Sequence, residues 1–330
     1  MAVFFRRPGN GAGPSQAYWP AAPNGKRLVA PRRQRPPAAV DTRRRRRSIG
    51  AVPELPDLEY IVEMLAPRIA GKMVREVTVK EPIVIRMLLP GVGGFAEALP
   101  GRTFGALARR GPFLHFALSG DAALVMHCML AGRLQMAGPA DRPLPHQCFG
   151  LHLDSGEWLR YGDDKKMGKV YLTAEDAWDG IPGYREQGVD ILSDAFTWDA
   201  FQRLIGSRRH QARVFLMDQT ALSAVGNAYA DEILFAAGIH PKTSCASLGP
   251  DQRRKLYDSI RSVMQWGIEE VRSAGQPIDV KVRDHVRVRN RKDQPCPVCG
   301  TKIRRAGVLG YDAFFCPTCQ PATRPQKIPW

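Results

Sequence analysis

No stretch of this 330-residue chain is apolar for long enough to cross a membrane, and no hydrophobic segment follows the N-terminal arginines as a secretory signal would require. The chain is therefore expected in the cytoplasm. Acidic residues are in short supply, 32 against 48 Lys and Arg, which leaves a net charge of +16. Residues 1–51 account for +11 of it, so the body is only mildly basic. Cysteines are few outside the C-terminus. Cys128, Cys148 and Cys245 stand alone and read as buried thiols of an intracellular protein. No internal repeat is visible. A basic surplus of this size points to a polyanion partner.

What is present falls into blocks. Residues 1–51 are rich in Pro, Gly, Ala and Arg, too poor in apolar surface to offset the entropy of ordering, and are expected to be disordered. Their Arg43–Arg47 run reads as a nonspecific nucleic-acid contact, as an address signal, or as sequence without function. From Asp57, the residues Leu58, Ile61, Val62, Leu65 and Ile69 share one helical face, with Gly71 placed to end the helix and Pro67 placed to kink or shorten it. Short β-prone runs follow at 74–79, 113–118, 122–130, 149–153 and 169–172. Turns at 119–121 and 154–156 imply antiparallel hairpins. Beyond residue 192 the pattern becomes helical, with helices expected through 198–205, around 211–219, at 227–238 and at 251–275.

Two motifs carry chemistry. Cys296, Cys299, Cys316 and Cys319 form two C-x-x-C knuckles separated by 16 residues, a length that suits a β-hairpin bringing four thiolates to one tetrahedral ion. Four thiolates leave no open position, so one Zn2+ per chain is expected in a structural role; a redox dithiol or disulfides are the rivals. The second motif is Gly226-Asn227, at the start of an apolar helix. Glycine permits close backbone approach, and exposed N–H groups beside an asparagine amide make a phosphate site. An ordinary N-cap by Asn227 is the simpler alternative and is preferred on local chemistry alone.

Three stretches, taken in order, resemble the formamidopyrimidine-DNA glycosylase/endonuclease VIII family: "PELPDLEYIVEMLAPRIAGKMV" its N-terminal signature, "LMDQTALSAVGNAYADEILFAAGIHP" its helix–two-turns–helix core, and "QPCPVCGTKIRRAGVLGYDAFFCPTCQ" its zinc finger. Together they span essentially residues 53–320. The resemblance implies an α+β chain: an N-terminal antiparallel β-sandwich with a flanking helix over 53–190, an all-α helix–two-turns–helix DNA-binding domain over 191–280, and a C-terminal zinc-ribbon hairpin over 285–320. Residues 1–52 are then an extension and 321–330 a tail.

It also implies an enzyme that evicts a damaged nucleotide from duplex DNA, removes the base and cuts the strand as an abasic-site lyase. Such a chain is expected to work as a monomer, on the nucleoid of a bacterium. Carried over by motif, Pro53 is the nucleophile, its secondary amine attacking the sugar C1′. Glu54 is the acid/base partner, and Asn227, with Gly226, holds a phosphate. The residues filling the gap left by the evicted base match Leu130, Lys165 and Met167, with Lys166 beside them as a further DNA contact. Where the family pattern has a phosphate-contacting lysine stands Pro112, and where it has an arginine stands Tyr311. These departures keep alive an alternative, a catalytically silent binder of damaged DNA.

Chemistry adds a demand. A proline inside a chain is a tertiary amide without a nucleophilic lone pair. An amine at the start of a chain has a pKa of about 7.7–8.0 and is partly neutral at cellular pH, whereas a lysine needs strong perturbation to match it. Pro53 is thus expected to be the first residue of the mature protein, with Val52 read as a GTG start whose methionine is removed, or with residues 1–52 trimmed by proteolysis. A retained extension goes with the silent binder.

Overall fold

A computed structural model describes residues 52–322. The basic segment 1–51, its arginine run and all but the first two residues of the 321–330 tail lie outside them.

The first helix, α1 (Leu55–Ile69), buries Leu58, Ile61, Leu65 and Ile69, the stripe expected from their spacing. It continues two residues past Pro67 instead of stopping there. Pro67 forfeits the one bond that its N–H would give to the Glu63 carbonyl, and only Arg68 and Ile69 follow it in the helix. Gly71 then turns the chain at φ +72° and donates its N–H to the Phe104 carbonyl at 2.8 Å.

Two sheets follow. One is four-stranded, in the order β1 (Val74–Val79), β7 (Gln147–Leu153), β8 (Trp158–Gly162) and β6 (Arg133–Ala137). The other contains β2 (Ile85–Met87), β9 (Lys169–Ala174), β5 (Ala122–His127), β4 (Phe113–Leu118) and β3 (Phe104–Arg110), in that order. A single turn of helix, α2 (Phe95–Ala98), lies between β2 and β3. The turns at 119–121 and 154–156 close the hairpins β4–β5 and β7–β8. Pairing is antiparallel except at one edge, where the three residues of β2 run parallel to β9. Phe104, Phe116, Leu124, Phe149, Leu151 and Leu172 belong to the buried core of this sandwich.

The helical part comprises α3 (Trp198–Gly206), α4 (Ala212–Met217), α5 (Asn227–Ala237) and α6 (Pro250–Ala274). Thr197 caps α3 by accepting the Ala200 N–H at 3.1 Å, and glycines in the left-handed region end α5 and α6. The α1 helix packs on β3 on one side and on α6 on the other, so one continuous core runs from the sandwich into the helices. The chain ends in a hairpin of β10 (Arg304–Val308) and β11 (Tyr311–Phe315), whose small core includes Phe235 of α5 with Val288, Ile303 and Phe314.

Candidate active site at the domain junction

The starts of α1 and α5 meet at a carboxylate. Glu54, 4% exposed, accepts backbone N–H groups from Gly226 at 3.1 Å, Ala228 at 2.9 Å and Tyr229 at 3.0 Å. The next link runs the other way: the Leu55 N–H donates to the Ala224 carbonyl at 3.0 Å. Burial pushes the Glu54 carboxyl above the ordinary carboxylate range, against the pull of Arg283 and of the Tyr229 and Ala228 amides.

This contact corrects two expectations. The N–H groups opening α5 were expected to face a phosphate, but three of the amides there hold Glu54. Gly226 does permit a close approach, though of Glu54: a Cβ on residue 226 would stand 2.5 Å from the Glu54 Cδ. Asn227 was expected as the cap, but Gly226 occupies the cap position and Asn227 is the first helical residue. Its Oδ1 accepts from Arg213 Nη2 at 2.8 Å, which directs the amide NH2 away from that guanidinium.

Pro53 is buried and lines a cavity with Asp57, Tyr60, Cys128, Arg133 and Lys281. Asp57 anchors the start of α1 twice, accepting the Glu54 N–H at 2.8 Å and forming a two-bonded pair with Arg283 at 2.8 and 2.5 Å. Tyr60 donates to the Gln276 carbonyl at 2.8 Å. The segment 276–283 is thereby strapped across α1 from both ends. Neither Arg283 nor Lys281 was picked out in the sequence: Asp57 and Arg283 are separated by 226 residues, and no local pattern announces such a pair.

The residues expected to fill a vacated base position lie in two turns. Leu130, half-buried, follows β5, where Met129 has φ +48°. Lys165, Lys166 and Met167 occupy a turn organised by buried Asp163, which accepts the Lys165 and Gly168 N–H groups at 3.0 and 2.7 Å. A Cβ at either Gly132 or Gly168 would collide with the Tyr161 hydroxyl, so the two turns close on the same phenol. Met167 projects with 44% exposure. Lys166 is paired with Glu81 at 2.7 Å and Lys165 lies 3.8 Å from Asp164. Pro112 sits in the β3–β4 turn, where neighbouring Arg109 is committed to Glu59 and Asp190, each at 2.6 Å. Tyr311, 56% exposed, stands at the hairpin tip beside Leu309.

The four C-terminal cysteines converge. Their Sγ atoms all lie within 4.8 Å of one another, with Cys299–Cys316 at 3.4 Å and Cys296–Cys319 at 3.8 Å. Zn–S bonds of about 2.3 Å in a tetrahedron separate sulfurs by about 3.8 Å, so the set fits one zinc ion. The Val298 and Cys319 N–H groups point at Cys296 and Cys316 Sγ, as they do toward thiolates in zinc knuckles. Cys128, Cys148 and Cys245 are buried free thiols, as expected.

Comparison with known proteins agrees with this geometry. The formamidopyrimidine-DNA glycosylase N-terminal domain matches residues 52–170, the H2TH domain of the same proteins matches 187–276, and the zinc finger found in FPG and IleRS matches 293–322. The formamidopyrimidine-DNA glycosylase of Symbiobacterium thermophilum is 35% identical over 277 residues, covering 82% of this chain and 90% of that protein. Among solved structures, a Lactococcus lactis Fpg (MutM) complex with oxidized-pyrimidine DNA superposes with a TM-score of 0.74 at 26% identity, over 82% of this chain and all of that one. A complex of the Lactococcus lactis Fpg with abasic-site DNA gives 0.73 at 25% identity, over the same shares.

Proposed function

The chain belongs to the formamidopyrimidine-DNA glycosylase family, and from that premise we propose that it excises a damaged base from duplex DNA and then cuts the strand through an N-terminal proline amine. Its substrate is DNA carrying an oxidised base or an abasic site, met on the bacterial nucleoid. The observation that carries the reading is Glu54: a buried carboxyl, caged by three amides, next in sequence to a proline that lines a cavity.

The chemistry follows from those two residues. Glu54 protonates the sugar ring oxygen, and the ring opens. The Pro53 nitrogen adds its lone pair to C1′ and gives up its N–H proton, the base leaves carrying a proton, and a cationic iminium joins protein to sugar. That cation withdraws electrons from C2′ and acidifies its proton; loss of this proton to water expels the 3′ phosphate, and loss of the C4′ proton to water then expels the 5′ phosphate. Asn227, its carbonyl oxygen occupied by Arg213, turns its NH2 to a backbone phosphate. Leu130 and Met167 wedge into the stack where the nucleotide has left, with Lys165 and Lys166 near the backbone. The zinc held by Cys296, Cys299, Cys316 and Cys319 supplies no chemistry here; it folds the hairpin.

The mechanism requires that the mature protein begin at Pro53. The second reading, a silent binder of damaged DNA, is favoured by the Val52–Pro53 peptide bond and by Pro112 and Tyr311 in place of two cations. Borohydride trapping on abasic duplex DNA separates the two. A Pro53-start protein should yield a covalent adduct that acetylation of its N-terminal amine reduces at least tenfold; a zinc-replete Pro53-start protein that gives none is the silent binder. The intact mass of the native protein reads the start directly.

A further inference from the structure

The turn that closes the zinc hairpin carries the wrong residue for its shape. Leu309 at φ +45° and Gly310 at φ +80° join the paired Val308 and Tyr311. Positive φ at both positions matches the twist of a two-stranded ribbon and favours Asn, Asp or Gly in the first of them. Leucine there is strained, because its Cβ crowds the following carbonyl. Nothing inside the protein offsets that strain. At 73% exposure Leu309 is the most exposed large apolar side chain among the described residues, and Tyr311 beside it is 56% exposed. The apolar contacts of the hairpin are made instead by Ile303 and Phe314. A large apolar side chain held out in solvent on a strained turn is suited to a partner outside the chain.

We infer that Leu309 is a further wedge: it enters the minor groove of the bound duplex and parts two stacked bases at a step away from the lesion, while Leu130 and Met167 fill the lesion gap. The inference deepens the proposed function and rests on its reading of Asn227 as a phosphate contact. The hairpin is braced to that residue. The Asp312 carbonyl, three residues from Leu309, accepts Arg289 at 2.7 Å and Arg213 at 2.9 Å, and the same Arg213 nitrogen holds the Asn227 Oδ1 at 2.8 Å. At about 3.3 Å per residue the tip stands about 10 Å from that carbonyl, a reach of about three base steps. A duplex whose phosphate Asn227 holds thus passes the tip at a different step.

Size and charge select the partner. A tip of two residues is far smaller than the roughly 800 Å² per partner that a stable protein interface buries. The minor groove, about 6 Å wide, has room for one side chain and not for a ribbon, and it is the groove from which apolar side chains part base steps. Arg304 and Arg305, both exposed on β10, make the ribbon behind the tip basic, as a phosphate-lined groove requires. Leu309 itself carries no charge, so its contact releases no counterions and leaves a signature different from that of a phosphate-gripping cation.

The test uses the zinc-replete chain of residues 1–330, because binding needs no free amine at Pro53. The duplexes carry a tetrahydrofuran in place of the abasic sugar and 2-aminopurine, which brightens when unstacked, at successive positions on either side. The unmutated chain should brighten two separate positions, one at the tetrahydrofuran and one about three steps away. Leu309→Gly eases the turn and should keep full zinc content and unfold no lower than the parent. It should darken the distant position alone and weaken binding about tenfold, near the worth of burying one leucine, with the slope of log affinity against log salt unchanged. Leu309→Asn, which the turn also favours, repeats the test in a second folded variant. Absence of a distant bright position, unchanged affinity in Leu309→Gly, or a shallower salt slope overturns the inference. The proposed function then still stands if Asn227→Ala weakens binding. Failure of the unmutated chain to prefer the tetrahydrofuran duplex over an undamaged one overturns both.

Discussion

Glu54 and Glu232 are near twins. Each is buried, each accepts three backbone N–H groups, and burial raises the carboxyl of both. The three amides of Glu54 come from the start of α5. Those of Glu232, on α5 itself, come from Arg287, Val288 and Arg289 at 2.9, 2.9 and 3.0 Å. The difference lies in what stands beside them. Glu54 adjoins Pro53 and a cavity, whereas Glu232 sits between α5 and the strand of chain that leads to the zinc hairpin, next to Asp231 and its pair of arginines. A caged carboxyl whose pKa burial raises is thus not in itself a catalytic device. In the proposed mechanism, access to a reacting atom makes Glu54 an acid, and its lack leaves Glu232 a rivet.

The sharpest way to break that comparison is to neutralise both. Glu54→Gln should lower base excision about 10²–10⁴-fold, the usual worth of a positioned acid. It should affect trapping on preformed abasic DNA far less, because that sugar opens without the enzyme. Glu232→Gln presents an NH2 to amides that need an acceptor. It should cost about 1–3 kcal/mol of stability and lower activity only as the folded fraction falls. Single-turnover excision and thermal unfolding on both variants read the two effects separately. Equal losses of excision at matched folded fraction would mean the twins share one structural role.

The pair also marks how far the sequence carried. The four cysteines were legible because their chemistry is local, paired thiols with two residues between them, whereas Pro53 and Glu54 were singled out only by the family resemblance. The α1 stripe, the β4–β5 hairpin and four helices were legible from periodicity, and of the β7–β8 hairpin the first strand and the turn. The strands β2, β3, β6 and β8 were not. "FGALARR" and "WLRYG" mix glycine and arginine into their runs, and the arginine of β8 is buried by bonds to the Asp141 carbonyl and to Gln135 that no period records. The role of Gly226 was half legible. Its need for close approach was readable, but the partner 172 residues away was not. Lys281, Arg283 and Glu232 act only through contacts made by the folded chain.

A second test asks whether the rivet side matters beyond its own fold. Phe314 N–H donates to Asp231 at 3.2 Å, and Arg213 and Arg289 both bond the Asp312 carbonyl, so β11 is clipped to α5 beside Asn227. Removing zinc should unfold the hairpin and loosen that clip. Chelation, or Cys296→Ser, should therefore weaken duplex binding by about tenfold or more, an estimate on the scale of one lost charge-assisted contact. Excision by the residual bound enzyme should change less. Retention of full zinc content and full affinity in Cys296→Ser would remove the four-cysteine assignment.

The smallest expected effect concerns charge at the edges of the two regions. Pro112 lies in the sandwich and Tyr311 at the hairpin tip, and neither can neutralise a phosphate. Arg109 is held by two carboxylates and Arg305 lies 3.3 Å from Asp312, so the adjacent cations are engaged. Each cation added against a phosphate should steepen the fall of log affinity with log salt by about 0.9. Pro112→Lys and Tyr311→Arg should each add that increment, and about twice that together, with tighter binding at low salt. Placing them in separate regions makes the result diagnostic. An increment from Pro112→Lys alone would put the duplex against the sandwich without engaging the hairpin tip, and would assign the zinc hairpin to bracing Asn227 through Asp231 instead of gripping DNA itself.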